Sequence, residues 1–227
     1  MRATAIPVAA PPFLAQARTM KLLAPDLINR IAADPANVTQ GGLDIVVDRT
    51  RPFLPEHHTQ LYFTPLYAGL HHEHRLRYNQ LFGLRVNEYI MMLESDLIER
   101  LLTPLRRHPA VRSDAAMVTA IDTMIEEERL HFRNFADLNR VCRPDLYPPG
   151  EDRLFSKTPG WTRALFWGVG ALAGQLSFAL WYLMAMEESS MTLAREMMRD
   201  SRTETLGPLD EGFLKVHAEH MKDETRH

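Results

Sequence analysis

Cysteine is almost absent from this chain of 227 residues; Cys142 is the only one. A disulfide framework and a thiolate metal cluster are therefore excluded, and a reducing, cytoplasmic setting fits. Charge of one sign is lacking too. The formal net charge is −3, and basic residues gather only in short pairs such as Arg106-Arg107, so no nucleic-acid partner is indicated. Long uncharged runs are missing with one exception. Residues 165–186, LFWGVGALAGQLSFALWYLMAM, contain 22 residues without a charge, enough to span a bilayer. Gln175 and Ser177 interrupt the run, Glu187 and Glu188 follow at once, and no second run accompanies it. It reads as a buried core helix rather than a membrane span. Gly168, Gly170 and Gly174 mimic a dinucleotide loop, but no strand precedes them and the spacing is wrong. Small residues for close helix packing are the plainer reading.

What is present is helical punctuation. The chain is 45% hydrophobic and 24% charged, enough for one domain with a sizeable core. Residues 1–70 are proline-rich and irregular, and the first 17 read as a flexible arm because Pro7, Pro11 and Pro12 break a would-be signal peptide. A short helix is expected near 25–33 and a strand or two near 43–47. Residues 71–227 form the bundle proper. A first long helix is expected over 73–102, stopping before Pro104. A second runs from an N-cap at Ser113 to about 141, a third over 161–199, and a fourth from 209 after Gly207-Pro208. Strand signals are sparse elsewhere, so the fold class is all-α, a bundle of four long core helices.

The apolar stripes carry an anomaly. Glu94, Glu128 and His131 occupy positions where helical spacing demands hydrophobes. A buried carboxylate costs several kcal/mol unless it is paired, protonated or bound to a cation. Glu128-Arg129-Leu130-His131 is an E-x-x-H, and Glu224-Thr225-Arg226-His227 is a second; each follows another acid, Glu127 and Asp223. Residues three apart share a helix face, so carboxylate and imidazole can grip one ion. One such motif is weak evidence; two on separate helices are much stronger. Adding one carboxylate from each remaining helix, Glu94 and either Glu187 or Glu188, gives the ligand set of di-iron carboxylate bundles. Mixed imidazole and carboxylate ligation suits two iron ions, with manganese also accepted.

His220 lies four before Glu224 and seven before His227. The resulting H-x-x-D-E-x-x-H resembles the signature of the p-aminobenzoate N-oxygenase family, di-iron oxygenases of ferritin-like fold. The stretch LHHEHRLRYNQLFGLRVNEYIMMLE is similar to that family's first core helix, which ends in a ligand Glu. The resemblance covers roughly residues 70–227. By position it implies Glu94 from the first helix, Glu128 and His131 from the second, and His220, Glu224 and His227 from the fourth. The helical wheel does not separate Glu187 from Glu188, because Met184 and Met191 accommodate both; the family's spacing from His131 favours Glu188. Asp223 is expected to hold a ligand imidazole's other nitrogen. Glu127 reads equally as such a partner or as a solvated acid, and His217 as partly exposed. His57, His58, His71, His72 and His74 read as surface or loop residues. A family member continues beyond its last ligand, whereas His227 is the final residue of this sequence.

The resemblance implies oxygen activation through a peroxo-diferric species that oxidises an amine nitrogen of a small organic substrate. Met91, Met124, Phe135, Phe178, Trp181, Tyr182 and Met184 are candidates for an apolar substrate pocket, although each reads more readily as core. No reductase domain is evident in the sequence, so an external electron donor, a reductase or ferredoxin, is implied; a homodimer is compatible with the sequence. Two other functions fit the same metal site: hydroxylation or desaturation of an acyl chain, and non-catalytic iron binding.

Overall fold

The computed structural model describes residues 43–157, 159–162, 164–165, 168 and 177–225. Among these residues the only regular structure is helical; Arg202 and Pro208 make a single antiparallel bridge. In chain order the helices are α1 (Pro65–Ala68), α2 (His72–Met92), α3 (Glu99–Arg106), α4 (Pro109–Arg112), α5 (Ala115–Cys142), α6 (Ser177–Arg199) and α7 (Glu211–Glu224). A 3₁₀ turn spans Glu56–His58, and a π-helical turn, Leu93–Ile98, joins α2 to α3. Helix α2 packs on α5, α6 on α7, and α7 on α5, which is the all-α bundle expected from the periodicity.

The helix ends differ from the sequence reading in instructive ways. The first helix passes through Pro104 and ends at Arg106. Pro104 has no amide to bond back along the helix, which runs only two residues further, and the carbonyls of Pro104 and Leu105 close short bonds to Arg107 and His108. The N-cap of α5 is Asp114, whose Oδ1 accepts from the amides of Ala116 (3.0 Å) and Met117 (3.2 Å); Ser113 instead ends α4. The strand expected near 43–47 does not form. Leu43, Ile45 and Val47 still turn toward the core while Asp44 and Val46 face outward, but the segment lies on α7 and has no strand beside it among the described residues. The helix expected near 25–33 and the N-terminal arm lie outside the described residues.

The uncharged run of 165–186 is described only in part. Its described end belongs to α6, where Trp181 and Met184 are 72% and 63% exposed. This corrects the expectation of a buried helix: one face of that end looks outward. Among the described residues no helix is long and apolar enough to cross a membrane.

The core between α2, α5 and α7 is filled by Leu84, Met91, Phe135, Leu138 and Phe213, all fully buried. Each such side chain contributes about 1.5–3 kcal/mol relative to exposure. Phe53, from the segment before α1, stacks on Phe213 with ring centroids 4.6 Å apart. Gly83 makes room for this pair, since a Cβ there would lie 2.9 Å from Phe53. Gly212 likewise admits the Val46 carbonyl against α7.

Asp210 locks the N-terminus of α7. Its Oδ1 accepts from the Phe213 amide and its Oδ2 from the Asp48 amide, both at 2.7 Å. One carboxylate therefore caps α7 and ties residues 43–53 to it. Asp210→Ala is expected to lower stability by about 2 kcal/mol, a lost cap together with an orphaned amide. Asp210→Asn should recover part of this, since an amide oxygen can still cap Phe213; urea denaturation of both variants checks the order.

Candidate metal centre

Each of the four long helices brings polar groups to one buried point. Glu94 comes from the π turn after α2, Glu128 and His131 from α5, Glu187 from α6, and His220 and Glu224 from α7. Glu94, Glu128, His131, His220 and Glu224 are each at most 3% exposed. Potential ligand atoms of Glu94, His131, His220 and Glu224 all lie within 4.8 Å of one another, as do those of Glu128, Glu187 and Glu224. The two groups share Glu224, so one carboxylate faces both.

The spacing explains how α5 and α7 do this. Glu128 and His131, three apart, project from one face of α5, and His220 and Glu224, four apart, from one face of α7. Glu94 needs a different device. It sits in a π turn, which inserts a wider loop of backbone into the helix. The Met91 carbonyl beside this turn accepts from Ser95 Oγ (2.9 Å) and from Arg153 Nη2 (3.2 Å). Arg153 also bonds Ser95 Oγ and Asp96 Oδ2, the latter at 2.6 Å. A residue from the loop after α5 thus holds the distorted turn from outside.

His131 is oriented at both ring nitrogens. Its Nε2 lies 3.2 Å from Asp223 Oδ2, an acceptor that favours a proton on this nitrogen. Its Nδ1 then faces Glu224 Oε1 at 3.2 Å and the carboxylates of Glu94 and Glu128 at 3.9 Å. His220 Nε2 is 3.0 Å from Glu94 Oε1 and 3.1 Å from Glu224 Oε1. These atoms are close without being aligned: among the described residues no hydrogen bond of good geometry reaches either oxygen of Glu94 or either ring nitrogen of His220. Glu94 and His220 thus point at a common centre rather than at one another. Four carboxylates gathered there match the charge of two divalent cations, and buried donors of this kind fit such ions.

Electrostatics record the crowding. Burial pushes the Glu94 carboxyl up to about 7 against the pull of His220 and His131. Burial, with Glu224, Glu128 and Glu94 nearby, pushes Glu187 up to about 10. Burial alone would lower both imidazoles, but Asp223, Glu128 and Glu224 hold His131 well above its ordinary value, and Glu224 and Glu94 hold His220 up. His217, expected to be partly exposed, is 1% exposed, with Nε2 3.0 Å from Asn87 Oδ1. Burial and the neighbouring His220 lower it to about 3. Glu127 is also buried, at 4% exposure, not a solvated acid.

The preference for Glu188 over Glu187 is corrected. Glu188 is exposed and paired with Arg195 Nη1 at 2.6 Å, while the Glu187 carboxylate faces the cluster. Adjacent helical residues differ by about 100° in direction, and Met184, used as an inward marker, is exposed. His227 lies outside the described residues.

A cavity of about 730 Å³ reaches Glu94 and Glu128 from outside, with Arg129, Phe132, Arg133 and the loop 150–153 among its walls. None of the described candidates for an apolar pocket lines this cavity, and the side chains of Phe178 and Tyr182 lie outside the described residues. Met91 and Phe135 are core, Trp181 and Met184 face outward, and Phe132 is the only apolar side chain among the cavity's described lining residues. The loop is seated by Glu88, a residue the sequence did not single out. Its Oε1 accepts from Tyr147 Oη and the Leu154 amide (2.7 Å each), and its Oε2 from the amides of Phe155 (2.6 Å) and Ser156 (2.7 Å).

In the metal-free protein Glu94 favours folding while protonated. Its folded value is raised above the ordinary 4.5 to about 7. The stability it contributes is therefore complete below about 4.5 and lost as pH rises through about 7. Glu94→Gln should flatten this slope and make the metal-free protein more stable than wild type above about pH 7. Urea midpoints measured across that interval decide it, and metal uptake by wild type should release protons.

A model of the family described as P-aminobenzoate N-oxygenase AurF matches residues 40–227. None of the curated proteins and none of the solved structures compared matches the chain significantly.

Proposed function

Since the chain belongs to the p-aminobenzoate N-oxygenase (AurF) family, we propose that it is a non-haem di-iron oxygenase that oxidises an amine nitrogen of a small organic molecule. The reading rests on one observation: carboxylates and imidazoles from four helices converge, buried, with their donor atoms aimed at a shared centre. Glu94, Glu128, His131, Glu187, His220 and Glu224 would hold two iron ions there. The ions, once bound, would supply the oxygen-activating chemistry.

The remaining roles belong to the chain. Asp223 would keep the His131 proton on Nε2, so that Nδ1 offers a lone pair to the centre. Burial excludes bulk water, and the cavity at Glu94 and Glu128 would admit the amine. Conversion of an amine to its hydroxylamine consumes one O₂, two electrons and two protons, and yields one water. The two electrons would come from an external reductase or ferredoxin. An adjacent acid pair, Glu187 and Glu188, separates the ligand role from mere acidity, since only Glu187 faces the cluster.

Protein produced with iron is expected to carry about two metals per chain, as a two-metal site requires. Glu187→Ala and His220→Ala should lower that content, while Glu188→Ala leaves it unchanged; elemental analysis beside circular dichroism reads the difference. With a chemical reductant and p-aminobenzoate as the probe amine, oxygen uptake should rise and hydroxylamine or nitro products should appear in mass spectra. Stoichiometric zinc in place of iron, or oxygen uptake indifferent to a panel of amines, would overturn the N-oxygenase reading.

A further inference from the structure

A second group of side chains of metal-ligating type lies outside the buried centre. His57 and His58 are consecutive on the 3₁₀ turn Glu56–His58, and their rings stand 4.5 Å apart, tilted by 38°. His58 Nε2 is 2.8 Å from Glu196 Oε2, near the C-terminal end of α6. His57 Nδ1 is 3.4 Å from Glu204 Oε1, in the loop between α6 and α7. Potential ligand atoms of His57, His58 and Glu196 all lie within 4.8 Å of one another. None of these residues belongs to the centre formed by Glu94 and its neighbours.

The placement is held rigidly. Glu56, wholly buried, accepts from Tyr67 Oη and Thr205 Oγ1 through Oε1 and from the Thr205 amide through Oε2, each at 2.6 Å. That carboxylate fastens the turn carrying both histidines to the residue that follows Glu204. His58 and Glu196 also border a cavity of about 320 Å³ whose walls include Leu54, Phe82, Val86 and Leu193. His58 Nε2 is shielded from solvent, and among the described residues no hydrogen bond of good geometry reaches it. Burial and the neighbouring His57 favour the neutral ring at His58, the form that binds metal.

We propose that His57, His58 and Glu196, with Glu204 at the rim, form a peripheral site for a single zinc ion. Two imidazoles and a carboxylate supply three positions of a tetrahedral ion, and Glu204 or water supplies the fourth. The ion would join the 3₁₀ turn to the end of α6. Its role is a cross-link between segments far apart in sequence, independent of the chemistry at the buried centre.

Calorimetric titration of Zn²⁺ into the full-length, iron-loaded protein tests the site, with Co²⁺ as a coloured substitute. Wild type should take up one zinc equivalent beyond its iron and melt at a higher temperature. His58→Ala and Glu196→Gln should lose both that equivalent and the rise in melting temperature, with iron content unchanged. His57→Ala, altering a ring 42% exposed in its side chain, should do the same without risk to the core. Glu187→Ala should lower iron while keeping the zinc equivalent, so the two centres fail separately. No zinc uptake beyond iron in wild type, or equal uptake in wild type and His57→Ala, would overturn the proposal.

Discussion

The repulsion among buried carboxylates governs this molecule. Glu94, Glu128 and Glu224, with the half-buried Glu187 beside them, are drawn together where little water can solvate them, and taking such charges out of water costs several kcal/mol each. The metal-free chain meets that cost by keeping protons: Glu94 and Glu187 are pushed up, and His131 and His220 are held above their ordinary values. Cations would do the same work by replacing those protons. The apolar layers around Phe135 and Phe213 thus stabilise a bundle whose centre opposes them, an arrangement that fits a binding site better than a structural core.

Around the centre, support comes from residues outside the proposed ligand set. Asp223 orients His131 from within the same pair of helices. Glu88 and Arg153 act across a loop. The carboxylate of Glu88 gathers three successive backbone amides of 154–156, and Arg153, just before them, reaches the turn that carries Glu94. The wall of the 730 Å³ cavity and the seat of one of its acidic residues are therefore parts of a single hydrogen-bonded unit.

Much of this was legible in the sequence because helices repeat. Glu128 and His131, like His220 and Glu224, stand at spacings that only a helix turns into a shared face, and the all-α bundle followed from the same periodicity. Glu187 was not separable from Glu188, since adjacent residues flank the boundary of a face and the marker Met184 lies outward. Glu88 and Arg153 were invisible for a different reason. Their partners lie across a loop without a period, 57 to 68 residues away. His57 and His58 have no other ligand-type residue at helical spacing; their acidic neighbours, Glu196 and Glu204, lie well over a hundred residues on.

The π turn at Leu93–Ile98 reaches beyond the residue it presents. An inserted residue advances a helix by about 100°, so the stretches before and after it are out of phase. Leu84 and Met91 on one side, and Leu101 and Leu102 on the other, enter two separate apolar clusters. A change in the length of this turn by a single residue would rotate the whole of α3 away from its cluster or swing Glu94 off the centre. The distortion behaves as a phase joint, through which the acid at the centre and the packing of the next helix are set together.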